Sequence, residues 1–262
     1  MSRYTDRKQY FEELARTSSG YYFPYVSRFL SPGPGVNVLE IGCGEGGNLV
    51  PFARAGCPVK GVDISRKKIE NARIFFGELG LEGDFECTDI LESSLAEEKY
   101  DLVIVKDVIE HIEPDYKGVL MAKIKNILKP GGVVFIGFPA WQMPFGGHQQ
   151  ICSGRFCSHL PWIHLLPSVL YRGMLRLSGE TDETVSELMS IRRSKVTVES
   201  FESLCARSGF RIADRELWLV NPHYKVKFGL RPGRLSRWIS GIPRLRNFFS
   251  TSCHYILEAR RS

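Results

Sequence analysis

The segment FPAWQMPFGGHQQICSGRFCSH, residues 138–159, brings His148, Cys152, Cys157 and His159 close together in the chain. Imidazole and thiolate groups at such spacing could ligate a metal, and a histidine titrating near neutrality could move a proton. The Cys-x4-Cys-x-His pattern lacks the Cys-x2-Cys pitch of ordinary structural zinc sites, so no metal is expected, and the two cysteines read as buried or incidental. The histidine of the Gly-Gly turn, His148, keeps a chemical reading.

A second stretch, VLEIGCGEGGN at 38–48, carries different chemistry. Gly42, Gly44 and Gly46 permit a tight turn and close approach of a ligand to backbone, and the helix that follows offers free N–H groups. Read with Gly47, the letters also fit G-x-G-x-x-G, so the loop alone does not separate a nicotinamide cofactor from S-adenosylmethionine. Glu40, just before the loop, would repel a pyrophosphate but suits a ligand with an ammonium and a sulfonium. Asp63, nineteen residues after Gly44, stands where a carboxylate accepts ribose hydroxyls. Asp89 in CTDI, the run KDVIEH at 106–111 and LKPGG at 128–132 follow in order.

The elements that must position these residues show as short apolar runs alternating with helical ones. Strands are expected at 36–41, 58–64, 83–90, 100–105 and 131–138, and helices near 46–55, 65–79 and 114–128. Strand runs without polar alternation, separated by helices, predict a parallel sheet covered on both faces, a doubly wound α/β domain. Segment 139–196 is too long for a plain loop and reads as a structured insertion. A helix at 196–209 and strands at 210–220 and 251–259 complete the chain.

Together VLEIGCGEGG, GVDIS, CTDI, YDLVIVKDVIEHI and LKPGGVVFIGFP resemble class I S-adenosylmethionine-dependent methyltransferases, in particular the small-molecule branch of ubiquinone-biosynthesis O-methyltransferases. The motifs cover about 35–140, and a looser likeness continues through 197–208 and the last two strands. The resemblance implies a Rossmann-like doubly wound sheet of seven strands, the last antiparallel, with a helical insertion after strand five. The chain is expected to divide into an N-terminal helical cap at 1–34, a cofactor-binding core at 35–138, an acceptor-site or lid insertion at 139–196, and completion of the core at 197–262 with a basic insertion at 221–249. The resemblance assigns Glu40 and the backbone of Gly42, Cys43, Gly44 and Gly46 to the methionyl part of S-adenosylmethionine, Asp63 with Ile64 to the ribose, and Asp89 with Ile90 to the adenine. Lys106 and Asp107 would line the methionine end, Lys106 through its backbone only, because an ammonium beside a sulfonium is unfavourable.

Methyl transfer to a hydroxyl needs alignment, exclusion of water and removal of one proton. His148 is the first candidate base, and His111 in IEHI is the second, with a structural helix-end histidine as its plainer reading. Tyr10, Tyr21, Trp141 and Phe145 are candidate walls of the acceptor site, and Gln149 and Gln150 could bond an acceptor or cap a turn. Transfer to carbon or nitrogen is the nearest alternative. A nicotinamide oxidoreductase and a non-catalytic cofactor-binding module that docks a membrane or partner are rivals of other classes.

The chain has 262 residues, 43% hydrophobic and 24% charged, with net charge +6. Residues 221–262 hold nine Lys or Arg and one acid, against 26 basic and 28 acidic in 1–220, so the basicity belongs to the C-terminal region. No nucleic-acid module accompanies it, so the partners expected are a small-molecule acceptor and, peripherally, an anionic membrane. The contact would use that region and segment 161–177, whose polar stripe His164, Ser168, Arg172 and Arg176 leaves a wide apolar face, bent or restarted at Pro167; its plainer reading is a helix packed on its own domain. Seven unpaired-looking cysteines and the lack of an apolar leader or a ~20-residue apolar span point to the cytoplasm.

Overall fold

A computed structural model of the chain describes residues 6–92 and 99–260. The first five residues of the expected cap and the last two of the basic region lie outside the described residues. One sheet organises the chain, from β1 (Val38–Ile41), β2 (Val59–Asp63), β3 (Asp84–Cys87), β4 (Tyr100–Lys106) and β5 (Leu128–Phe138) to β6 (Phe210–Val220), β7 (Gly233–Arg234) and β8 (Ser252–Ala259). Their spatial order is β3-β2-β1-β4-β5-β8-β6-β7. The first five strands run parallel, and β8 inserts antiparallel between β5 and β6. The seven expected strands are present. The eighth, β7, is a two-residue edge pairing antiparallel with β6, inside the segment expected only as a basic insertion. So short an edge carries no hydrophobic alternation by which a sequence could announce it.

The central strands are buried on both faces, which is why their sequences lack alternation. On β5, Val134, Ile136 and Phe138 face one apolar cluster, while Val133 and Phe135 face the other. Helices Pro114–Ile127 and Val198–Arg207 cover the first face; Arg7–Thr17, Val50–Arg54 and Arg66–Glu78 cover the second. Each fully buried Leu, Ile or Phe of these clusters contributes about 1.5–3 kcal/mol. Asp6 caps the first helix by accepting from Gln9 N at 2.9 Å, and Thr197 with Ser200 forms a capping box on Val198–Arg207.

The segment between β5 and Val198 builds its own core, with Trp141, Cys157, Ile163, Tyr171, Leu175 and Leu188 packed together. Helices Ser168–Leu177 and Asp182–Ser194 are its main elements. Ser190 Oγ and Arg193 Nη2 donate to Glu113 Oε1 at 2.7 and 2.9 Å and fix the second helix to the loop after β4. The expected polar stripe is interrupted. The helix starts at Ser168 after Pro167, whereas His164 sits in a short preceding turn, fully buried, and its Nε2 donates to Trp141 O at 2.7 Å. On the outer side Val169, Leu170 and Leu177 are exposed, at 81%, 60% and 92%, so the apolar stripe is only partly used by the fold. Among the described residues no helix is long and apolar enough to cross a membrane.

Candidate active site

Strand order reverses at β1, which pairs β2 on one side and β4 on the other. In open α/β sheets ligands occupy the crevice at the strand carboxyl ends beside such a switch. A cleft of about 470 Å³ lies there. Gly42, Asp63, Ile64, Asp89, Ile90, Asp107 and His111 line it, joined by Lys68, Thr88 and Val108 from the core and Glu187 from the insertion helix.

The turn after β1 depends on glycine. Gly42, Gly44 and Gly46 have φ of +69°, +55° and +81°, a region costly for side-chain-bearing residues. A Cβ on Gly42 would also run into Val108 Cγ2, whereas one on Gly44 would meet nothing within 4 Å. Space over Gly44 is therefore open. Asp63 ties the turn to β2: Oδ2 accepts from Gly44 N and Oδ1 from Ser65 N, each at 2.9 Å. Each oxygen keeps a lone pair that a ribose hydroxyl could use. Asp89 Oδ1 accepts from Leu91 N at 2.8 Å, and Ile90 is buried beside it.

Glu40 and Cys43 lie behind the turn, buried, outside the cleft wall. Glu40 Oε1 accepts from Asn48 Nδ2 at 2.7 Å, while Oε2 is buried with no hydrogen-bond partner. Burial pushes the Glu40 carboxyl up to about 8 against the Asn48 bond, with Asp63 adding to the rise. A buried carboxylate oxygen without a donor beside an open glycine turn is the partner a ligand ammonium lacks. The donor set and the unfilled space thus fit a ligand with an ammonium at one end and a ribose at the other. From outside, Arg7 clamps Glu45 with two 2.6 Å bonds, and Phe11 O abuts Gly47, so the N-terminal helix closes the far side of the turn.

Lys106 is buried and its ammonium pairs with Asp107, with the Tyr22 ring 6.0 Å away. Burial alone would lower its pKa, but Asp107 holds it above the ordinary ammonium value. Asp107 itself is exposed, at φ +55°, and its N–H donates to Gly137 O at 2.8 Å.

At the other end of the cleft the His111 and His148 rings meet edge to face with centroids 4.9 Å apart. His148 Nε2 is 4.0 Å from Glu110 Oε1. Glu110, His111 and His148 place their ligating atoms within 4.8 Å of one another, a spacing that could hold a proton or a cation. Both Glu110 oxygens are buried without hydrogen-bond partners. Burial, then the charge of Asp107, pushes this carboxyl up to about 8. Burial, then His111, pushes His148 down to about 4, and burial lowers His111 as well. Within this cluster the imidazole is thus held below its ordinary value and the carboxyl above it, so Glu110 lies nearer neutrality than His148. His148, like Asp107, has a positive φ, +57°. Two strained non-glycine residues at one site fit a geometry imposed for function.

The remaining candidates divide. Phe145 and Gln150 line a second cavity on the other side of the His148 loop. Gln149 is fully buried, and its Nε2 donates to Pro144 O at 3.0 Å. Trp141 packs in the insertion core against His164, ring centroids 4.7 Å apart. Tyr10 and Tyr21 sit on the cap, against His223 and Trp218, away from the cleft. Gly147 abuts His164, so the Gly-Gly turn serves contact within the insertion. Cys152 and Cys157 are buried, and the exposed His159 turns Nδ1 to Arg155 O at 2.9 Å. All seven cysteines are free. Sequence reasoning missed Glu110 and Glu187. An acid inside the otherwise apolar run VIEHI was a signal for the first; for the second, on a solvent-facing helix turn, there was none.

Residues 38–132 match a family model described as a methyltransferase domain. A ubiquinone biosynthesis O-methyltransferase of Brucella anthropi is 36% identical over 105 residues, 40% of this chain and 42% of that protein. One from Chelativorans sp. is 33% identical over 115 residues, 44% and 45% of the two chains. The matched region thus spans less than half the length of these curated relatives. Among solved structures, an S-adenosylmethionine-dependent methyltransferase from Clostridium acetobutylicum aligns with TM-score 0.59 and 13% identity over 94% of this chain and 92% of that one. A magnesium protoporphyrin IX methyltransferase from Synechocystis PCC 6803 with bound SAH aligns with TM-score 0.56 and 16% identity over 99% and 95%. The chain is therefore similar to the methyltransferase-domain family in sequence across its core, residues 38–132, and to S-adenosylmethionine-dependent methyltransferases in fold across nearly its whole length.

Proposed function

We propose that the chain transfers a methyl group from S-adenosylmethionine to a hydroxyl of a small amphipathic acceptor. The observation that carries this reading is one cleft with a ribose-suited carboxylate, Asp63, in its wall and the Glu110–His111–His148 cluster around His111. The partial match to ubiquinone-pathway O-methyltransferases supports a hydroxyl as the acceptor group. Bound there, S-adenosylmethionine supplies a methyl group on a sulfonium that leaves as a neutral thioether.

The chain's own residues do the rest. Asp63 and Asp89 would hold the two ends of the nucleoside, and Glu40 would receive the ammonium. Lys106 is paired with Asp107, which would offset its charge toward a bound sulfonium. His148 is neutral at pH 7 and would accept the proton of an acceptor hydroxyl. Glu110 sits 4.0 Å away; as a carboxylate it would stabilise the imidazolium, which compensates for the low basicity of the partly buried ring. Glu187 and the insertion helix close the cleft beside His111 and exclude water.

Labelled methyl transfer to quinols, catechols and lipid phenols tests the reading. Transfer to an oxygen that is lost in His148→Ala upholds it; transfer only to carbon or nitrogen, or none across the panel, overturns it. A second reading, a divalent ion on Glu110, His111 and His148, is favoured by their 4.8 Å convergence and would make His148 a ligand. Turnover unchanged by a chelator removes that reading.

Peripheral contact with an anionic membrane belongs to the same proposal. Val169, Leu170 and Leu177 on one segment and Trp238, 88% exposed, on the basic segment are its supports, with Arg172, Arg176 and Arg237 alongside. Co-sedimentation with phosphatidylglycerol vesicles but not phosphatidylcholine vesicles is expected.

A further inference from the structure

We infer that the cavity between loop 143–152 and the helix His223–Phe228 is a binding site for a single-chain anionic amphiphile, with the apolar chain inside and the anion at Lys227. The cavity measures about 690 Å³, and Met143, Phe145, Cys152, Tyr224, Phe228 and Leu230 form its apolar walls. That size lies in the ~300–1,000 Å³ range of small-ligand sites. Burial pushes the Cys152 thiol up to about 12, so this wall stays uncharged at neutral pH.

The rim holds one lysine and no acid. Lys227 and His159 line the cavity and no carboxylate does. Outward, no acidic residue occurs anywhere in 221–257; Lys225 and Arg231 of this stretch line another cavity, where Arg234 is paired with Glu216. Lys227 Nζ stands 5.2 Å from the Phe228 ring centroid, and the Tyr224 and Phe228 rings are 5.4 Å apart, so cation and apolar wall are built from one helix. Phe228 and Leu230 remain 55% and 50% exposed at the opening. Apolar walls of this size normally close by packing. An alkyl chain would cover them, and a carboxylate or phosphate at its end would meet the cationic rim; a cationic amphiphile would be repelled.

The site is distinct from the cofactor cleft yet shares a loop with it. His148 points to Glu110 from one side of 143–152, and Phe145, whose carbonyl accepts from His148 N at 3.0 Å, faces the cavity on the other. The inference goes beyond the methyl-transfer reading and does not require it.

The test is equilibrium binding of 11-(dansylamino)undecanoic acid, followed by dansyl fluorescence, to the full chain. Saturable binding is expected, displaced by laurate at least tenfold more effectively than by dodecylamine. Ser158→Trp, which fills the cavity, and Leu230→Asp, which puts an anion at its mouth, should each weaken the probe at least tenfold while S-adenosylmethionine affinity stays within twofold. Leu230→Asp alters an exposed residue and keeps the test valid if Ser158→Trp does not fold. Lyso-phosphatidylglycerol as a second competitor distinguishes a lipid phosphate from a free carboxylate as the anion. No saturable binding, binding unchanged in Leu230→Asp, or equal displacement by dodecylamine would overturn the assignment. Because the readout is independent of methyl transfer, its failure and failure of the proposed reaction are separable.

Discussion

His148 Nε2 and Glu110 Oε1 stand 4.0 Å apart at the end of the cleft, the carboxyl buried with neither oxygen hydrogen-bonded and the imidazole on a left-handed backbone. The two groups are tuned in opposite directions, the acid to about 8 and the imidazole to about 4. At pH 7 the pair is neutral. Above about pH 8 a carboxylate faces the ring and raises its basicity. The rate of methyl transfer should therefore climb through pH 8, and Glu110→Gln should flatten that rise. His148→Ala should lower turnover by about 10²-fold or more, with cofactor affinity within twofold; single-turnover kinetics across pH 6–9 measures both.

The same carboxyl shapes stability. Glu40 and Glu110 have folded-state values, about 8, above those of an unfolded chain. Between about pH 4.5 and 8 the folded state holds protons that the unfolded state has released, so stability falls as pH rises through this window. His148 and His164, both pushed down to about 4, act oppositely below about pH 6.5, where the unfolded state binds the extra protons. From pH 6.5 to 8 the carboxyl effect dominates, opposed only toward pH 8 by Lys117, which burial pushes down to about 8. Urea midpoints should fall over that interval in the native chain, and Glu110→Gln should remove part of the fall, on the order of 1–2 kcal/mol.

Gly42→Ala tests the turn. The position has φ +69° and no room for a Cβ beside Val108. Strain and overlap should cost about 1–3 kcal/mol, read as a lower melting temperature. Cofactor affinity should fall with it, by tenfold or more. Gly44→Ala, strained but facing open space, should lose less stability.

Glu40 gives a test by proton counting. A carboxyl held near 8 is mostly protonated at pH 7, and an ammonium arriving at its unpaired oxygen would drive the proton off. Binding of S-adenosylmethionine at pH 7 should release close to one proton. Titration calorimetry in phosphate and in Tris measures the release from the difference in apparent enthalpy, and Glu40→Gln should abolish it.

The frame of the fold was legible because its strands are buried on both faces and its helices carry caps and periodic apolar faces: β6 occurs at 210–220 as read, and Pro114–Ile127 within one residue. The glycine turn after β1 was legible for a local reason, since glycines, Glu40 and Asp63 lie at fixed offsets along two strands. The acceptor side was less so. Tyr10, Tyr21 and Trp141 are aromatic for reasons of packing on the cap and in the insertion core, and composition does not say which neighbour a ring will meet. His164 reads as part of a helix stripe until Pro167 separates it into a buried turn. Glu110 matters through a contact 38 positions away in sequence, at His148, and only tertiary structure brings the two together.

The central claim is that the cleft at β1, β2 and β4 binds S-adenosylmethionine through Asp63. Calorimetric titration of S-adenosylmethionine into the native chain and into Asp63→Ala tests it most directly. One cofactor bound per native chain is expected, with an affinity at least 100-fold weaker in the variant and the variant still folded by circular dichroism. No binding to the native chain, or the same affinity in folded Asp63→Ala, would contradict it.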